Sequence, residues 1–518
     1  MGLGVKPLVG LVGILIGAIA SVFNDQATVI ALPDFRGAFG ISYDPGTWVQ
    51  SLYGSAQIIG MAVSRWLLVT FTLRRWTLFA IALCCVSTVL IPLSPNIEAI
   101  YALRLLQGFA AGLIIPLLMT TALRALPPDI RIYGLAVYAL SASFTSAMAA
   151  SLAGFWTDMV NWRFVFFQAV PLCAIAAALV WYGDPQDEAR YERFRCTDWR
   201  GVLLAIAGFG AFSTMLYHGN RLDWFNSRLI CVLVLVSVVA IPLFVLNEWF
   251  HPLPLMKLQM LGRPNLAYGL IALVIFLIVA QGGTTVPMQV LEQVDGYRPL
   301  QWSMVTLEIA LAQIVLLPMM AFVLDFPQVD ARVVSYIGLA LIPTACIGSS
   351  YVNIVWNRDQ FFFWQALQAV GQPMVIMPLL LMATNSVKGP AEAPYAASLF
   401  NTPRAIAEVV AVWLWALIAQ WRGALHYDRI VDQIGQNRFS LVQSNGVLPD
   451  MPTALLPDGR PRVLGSLQAL GEAVQRQVAL MSAADTFLVL GALTVFLMIV
   501  LVVLPIRTLP PRIQLARQ

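Results

Sequence analysis

Residues 99–122 read AIYALRLLQGFAAGLIIPLLMTTA, and this stretch decides the fold. It is 24 residues long and carries a single charge, Arg104. About 20 apolar residues in a helix cross the hydrocarbon of a bilayer, whereas a membrane β-strand needs about ten of alternating character. The run does not alternate, so it reads as a transmembrane helix whose backbone satisfies itself within the segment. The spacing Gly108-x3-Gly112 inside it is a close-packing signal between membrane helices.

The rest of the chain agrees. Of 518 residues, 59% are apolar and 11% charged, and the mean hydropathy is +0.77. Soluble domains carry about 25% charged residues. The 31 Lys and Arg and 27 Asp and Glu cannot clothe a soluble chain of this length. Soluble enzymes, nucleic-acid binders and disordered scaffolds are excluded, and a net charge of +4 offers no nucleic-acid footprint. Fourteen spans are expected, near 8–30, 47–69, 77–93, 99–122, 134–157, 164–182, 199–218, 228–246, 265–288, 302–322, 332–352, 360–384, 398–420 and 485–506. The first follows Lys6 as a signal peptide would. Thirteen further spans and Asp25 inside the run argue that it is retained. The fold class is therefore an all-α, polytopic membrane protein.

With the N-terminus inside, 16 Lys and Arg fall on the cytoplasmic side and 6 in the short outer loops. This bias places both termini in the cytoplasm. The charged segment 183–198 (GDPQDEARYERFRCTD) ends a first group of six spans, residues 1–182. Residues 183–264 hold two extra spans with their flanking loops, and 265–518 a second group of six with a long outer loop at 421–484. LQGFAAGLIIP at 106–116 and LQAVGQPMVIMP at 367–378 echo each other faintly, as halves of a transporter do.

Ionisable groups inside a span are costly and tend to be functional. Asp25 and Arg104 are the foremost candidates: a carboxylate that takes and releases a proton, and a permanent cation that sets its proton affinity. Glu308, Arg404 and Glu408 are further candidates for a cavity or for coupling. Arg404 and Glu408, four residues apart, share a helix face and can equally satisfy each other. Gln57, Gln107, Gln168, Gln368 and Asn401 can line a cavity or hold helices together. Arg65, near the inner end of its span, can snorkel to the interface. Five of the six cysteines lie in apolar runs and Cys196 in a polar loop, with no metal-type spacing. No Walker A, GxSxG or HExxH sequence is present, so no cofactor is expected and the energy for transport would come from an ion gradient. A non-transporting membrane sensor or enzyme is the other class; an enzyme should show clustered His, Asp or Cys at a membrane face, and His218, His251 and His426 lie far apart in sequence.

Several segments together resemble the 14-helix drug:proton antiporter branch of the major facilitator superfamily, the EmrB-like multidrug efflux transporters. They are NDQATVIALPDFRGAFG at 24–40, GTWVQSLYGSAQ at 46–57, LRLLQGFAAGLIIPL at 103–117, NWRFVFFQAVPL at 161–172, LDWFNS at 222–227 and SLFNTPRAIAE at 398–408. Asp25 falls on the family's first-span acid, and Arg104, Gln107 and Gly108 on its RxxQG motif. Two departures stand out. The family's GxLaDrxGrr loop reads SRWLLVTFTLRRW at 64–76, with Val69 and Thr70 where Asp and Arg belong. Its GPxxGG motif reads SAMAASLAG at 146–154, with Ala149 and Ala150 for Gly-Pro and only Gly154 kept of the final pair.

The resemblance implies a major facilitator fold, two six-helix bundles plus two extra helices, in a bacterial inner membrane. It implies export of hydrophobic or amphipathic small molecules in exchange for protons, with lipid as the surroundings. A periplasmic adaptor protein and an outer-membrane channel are implied as partners. The altered motifs leave an importer or facilitator of the same fold open. The run LGSLQALGEAVQRQVALM at 464–481 reads as an amphipathic helix, lying on the membrane or docking an adaptor.

Overall fold

The structure is a computed structural model that describes residues 5–126, 130–184, 191–326, 328–387, 389, 391–436 and 464–503. Fourteen of its helices are long and apolar enough to cross a membrane. They are α1 (Val5–Ile30), α2 (Tyr43–Phe71), α3 (Leu73–Leu90), α4 (Ile97–Ala125), α5 (Arg131–Phe155), α6 (Ala169–Gly183, which the short helix Phe164–Phe167 extends into a span of Phe164–Gly183), α7 (Trp199–Gly219), α8 (Arg228–Phe250), α9 (Pro264–Gln293), α10 (Pro299–Asp325), α11 (Ala331–Ser349), α12 (Arg358–Thr384), α13 (Ala393–Gln436) and α14 (Leu464–Val503).

Local chemistry sets several of their starts. Asn96, Asp198 and Asn357 each accept a hydrogen bond from a first-turn N–H of α4, α7 and α12. Pro264 and Pro299 stand at the first position of α9 and α10, where a missing N–H costs nothing.

Helices α1–α6 pack among themselves, as do α9–α14, while α7 and α8 pair with each other and α7 lies along α2. Glycine governs the closest crossings. A Cβ on Gly112 would meet the Gln57 carbonyl and stand 2.9 Å from Gly60 Cα, and one on Gly108 would strike the Tyr53 carbonyl. The Gly108-x3-Gly112 spacing thus brings α4 against α2 backbone to backbone. Gly13 does the same for α1 on α6, with Val180 N 2.8 Å from where a Cβ would sit. Helix α8 turns Val232, Leu235, Val238, Val239, Leu246 and Phe250 outward, an apolar face that suits lipid.

The face that carries Lys6 is termed inner, following the charge bias. Two seams join the bundles. Between α2 and α13, toward the inner face, the Ser398 hydroxyl donates to the Met61 and Ala62 carbonyls at 3.2 and 3.3 Å. Between α5 and α10, at the outer face, Ser151 donates to the Ser303 carbonyl at 3.3 Å, and Asp158 accepts from Leu300 N at 3.3 Å. Gly154, the retained glycine of the altered motif, lies in that seam, where a Cβ would stand 2.6 Å from Leu300 N. Helix α5 has no internal proline and ends in a π-helical turn, Trp156–Val160.

The segment 421–484 is helical at both ends. Helix α13 runs on to Gln436 and α14 begins at Leu464, so their 44 and 40 residues exceed what a bilayer needs. Asp485 ties the two together, accepting from Arg422 Nε at 2.5 Å and lying 2.6 Å from His426 Nε2. Residues 437–463 between them, and the C-terminal arginines 507, 512 and 517, lie outside the described residues.

Candidate functional site

Asp25 on α1 and Arg104 on α4 meet, with Arg104 Nη2 3.3 Å from Asp25 Oδ1. Both lie in the outer third of their helices. The Arg104 side chain is wholly buried, while Asp25 keeps 20% of its side chain accessible. A guanidinium offers five donors in a fixed fork, and burial demands that they be used. Here Nε donates to the Val49 carbonyl at 3.0 Å and Nη1 to Gln107 Oε1 at 2.6 Å. The guanidinium also lies 4.4 Å from the centroid of the Tyr53 ring, a cation–π contact.

Behind the pair stands a polar network. Gln107 Nε2 and Asn24 Nδ2 both donate to the Thr88 hydroxyl, at 2.8 and 3.0 Å, and Thr88 donates onward to the Cys84 carbonyl. Tyr53 donates to the Ser21 carbonyl at 3.1 Å. Such a network holds one arrangement of α1, α2, α3 and α4.

A second pair repeats this design in the other bundle. Arg404 Nε lies 3.2 Å from Glu408 Oε1 on α13; Arg404 is 5% exposed and Glu408 36%. The pair is not self-contained. Arg404 also reaches the Tyr138 hydroxyl of α5 at 3.5 Å, and Tyr138 donates to Asn401 Oδ1 at 2.9 Å. The cation in each pair is the buried anchor and the acid is the accessible member.

The remaining candidates separate. Gln107 belongs to the Arg104 network and Asn401 to the Arg404 network. Gln57 is buried on α2, where Gly112 crosses. Gln368 packs on Gly283 of α9, inside the second bundle. Gln168 accepts from Trp156 Nε1 at 2.8 Å, joining the outer ends of α5 and α6 with no hydrogen bond to either pair among the described residues. Glu308 on α10 is half-buried, and its Oε2 has no hydrogen-bond partner among the described residues.

Arg65 corrects an expectation. It does not snorkel: it is 6% exposed, its guanidinium carbon lies 3.1 Å from the Tyr395 ring centroid on α13, and Nη1 donates to the Pro254 carbonyl at 2.5 Å. Lys257 approaches the same ring, at 5.7 Å. Arg65 therefore staples the inner seam, one helical turn from the altered loop at Val69 and Thr70. Tyr53, Tyr138 and Tyr395 were not among the expected site residues. Their signal in the sequence is faint, because a tyrosine in an apolar run looks like core.

Comparison with known proteins shows the family. The sequence profile of the Major Facilitator Superfamily matches residues 14–411. The chain is 26% identical over 421 residues to the fatty acid resistance protein FarB of Neisseria gonorrhoeae, covering 80% of this chain and 81% of that protein. It is 26% identical over 420 residues to the multidrug export protein EmrB of Haemophilus influenzae, with 80% of each covered. It is 23% identical over 435 residues to EmrB of Escherichia coli, covering 83% and 84%. Among solved structures, the proton:xylose symporter XylE superposes with a TM-score of 0.59 at 11% identity, covering 98% of this chain and 97% of XylE. The human organic anion transporter MFSD10 does so with 0.56 at 12% identity, covering 94% and 99%.

Proposed function

We propose that this chain, which belongs to the Major Facilitator Superfamily and is a multi-pass membrane transporter, exports hydrophobic or amphipathic small molecules from the cytoplasm of a bacterial cell in exchange for protons. One observation carries the reading: each bundle presents an accessible acid, Asp25 or Glu408, held by a buried arginine. An acid open to water on one side and backed by a fixed cation can exchange a proton without leaving its place.

Asp25 carries the coupling proton, and Arg104 sets its affinity and orients it through Val49, Gln107 and Tyr53. Glu408 faces the same space from the opposite bundle and attracts cationic substrates. The bundles rock about the site, so that protonation of the acid and occupancy by substrate alternate. Helices α13 and α14, extended past the outer face, offer a place for a periplasmic adaptor protein that leads to an outer-membrane channel. The similarity to proteins named for multidrug export and fatty acid resistance supports the substrate class.

Inverted vesicles with an imposed pH gradient test direction. Uptake of ethidium or a long-chain fatty acid into acid-loaded inverted vesicles, abolished by an uncoupler, is expected. Flux in the opposite sense would make the chain an importer. Growth of a pump-deficient host on the same compounds, with and without an adaptor co-expressed, tests the partner.

A further inference from the structure

Of the two added helices, α7 packs along α2 and also reaches α13. The faces match turn for turn. On α7, Thr214, Tyr217 and His218 stand at i, i+3 and i+4; on α2, Ser51, Gly54 and Ser55 do the same. His218 Nε2 lies 2.9 Å from the Ser51 hydroxyl, and Thr214 Oγ1 3.2 Å from Ser55 Oγ. The His218 ring tilts over Trp48 at 4.2 Å between centroids. Just beyond, Arg221 pairs with Asp44 at 2.7 Å, and Trp224 meets Trp413 of α13 edge-on at 5.9 Å. The added pair thus bridges α2 of the first bundle and α13 of the second.

Tyr217 has no counterpart in that zipper except an absence. A Cβ on Gly54 would stand 2.8 Å from its hydroxyl, so glycine is what admits the ring at this level. Gly54 follows Tyr53, the ring beneath Arg104. Tyr217 is half-buried, with its hydroxyl at the Gly54 level of α2.

We infer that α7 is part of the coupling site, and that it supplies the Tyr217 hydroxyl, seated at Gly54 beside the Tyr53 ring, as a positioning residue for the Asp25–Arg104 pair. A hydroxyl both donates and accepts. Through one water it donates to the Asp25 carboxyl when that group is ionised and accepts from it when it is protonated. The ionisable groups of the site it joins are Asp25 on α1, Tyr53 on α2, Arg104 on α4 and Glu408 on α13, with His218 next to it on α7 and the Arg221–Asp44 pair one turn on. The inference rests on the proton-exchange reading above.

The test uses purified full-length protein in liposomes, with ethidium as probe and an internal pH dye, over a series of pH values. Tyr217→Phe keeps the ring and removes the hydroxyl. The expected result is an unchanged melting temperature and KM, with a kcat about tenfold lower, the size of one hydrogen bond to a charged group, and a displaced pH profile. Gly54→Ala, which pushes the ring away, should displace the profile in the same sense. Wild-type kcat and pH profile in Tyr217→Phe, in liposomes where the wild-type protein couples ethidium to protons, would overturn the inference and leave the export reading standing. Ethidium flux without proton movement in the wild-type protein would overturn both.

Discussion

Asp25 Oδ1 and Arg104 Nη2 lie 3.3 Å apart, and the cation of the pair is wholly buried while the acid is one-fifth accessible. Removing one partner of a fully buried pair costs about 3–5 kcal/mol. The accessible acid and the other acceptors of Arg104 reduce that cost here. Lysine cannot reproduce the planar fork that spans Val49, Gln107 and Asp25 at once. Arg104→Lys should therefore fold, keep its charge, and still lose proton-driven transport at least about tenfold, read as efflux from preloaded cells.

The inner seam depends on the Tyr395 ring that lies against the Arg65 guanidinium. A desolvated cation–π contact contributes about 2 kcal/mol, enough to shift a two-state equilibrium roughly thirtyfold. Tyr395→Phe should leave the seam closed, and Tyr395→Leu should open it. Thiol labelling of Ser398→Cys from the inner side reads the difference. Equal labelling in the two variants would remove Arg65 and Tyr395 from the gate.

The α2–α4 crossing has no room for a methyl group at Gly112. Gly112→Val should prevent the close approach and lower the melting temperature in detergent more than Gly37→Val, at a position with open space. Overpacking of this kind costs about 1–3 kcal/mol.

Asp184, just past the inner end of α6, is 4% exposed, with Oδ2 unpaired. Burial pushes its carboxyl up to about 6, against the opposing pull of Arg74. The folded protein then binds more protons than the unfolded chain between about pH 4 and pH 6, so stability falls as pH rises through that window. Asp184→Asn should raise the melting temperature at pH 7 by the equivalent of no more than about 3 kcal/mol, and change little at pH 4. An equal effect at both pH values would contradict the assignment.

The fourteen spans were legible because hydrocarbon demands long apolar runs, and no tertiary detail overrides that demand. The Gly108-x3-Gly112 contact was legible for a related reason, since small residues at that spacing have one use in a membrane helix. The meeting of Asp25 with Arg104 was suggested by cost alone: two charges inside lipid must find partners, but periodicity within one helix says nothing of a neighbour 79 residues away. Gln168 shows the limit, since an amide in a span serves as well between α5 and α6 as in a cavity. Arg65 shows another. Its position near a helix end permits snorkelling, and only the arrival of Tyr395 from the opposite bundle turns it inward.

The central claim is that Asp25 carries the proton. Proton release on addition of ethidium to detergent-solubilised protein tests it most directly. The wild-type protein should release protons on binding. Asp25→Asn should bind ethidium, melt near the wild-type temperature and release none, and Asp25→Glu should restore part of the release. Wild-type proton release from Asp25→Asn would contradict the account.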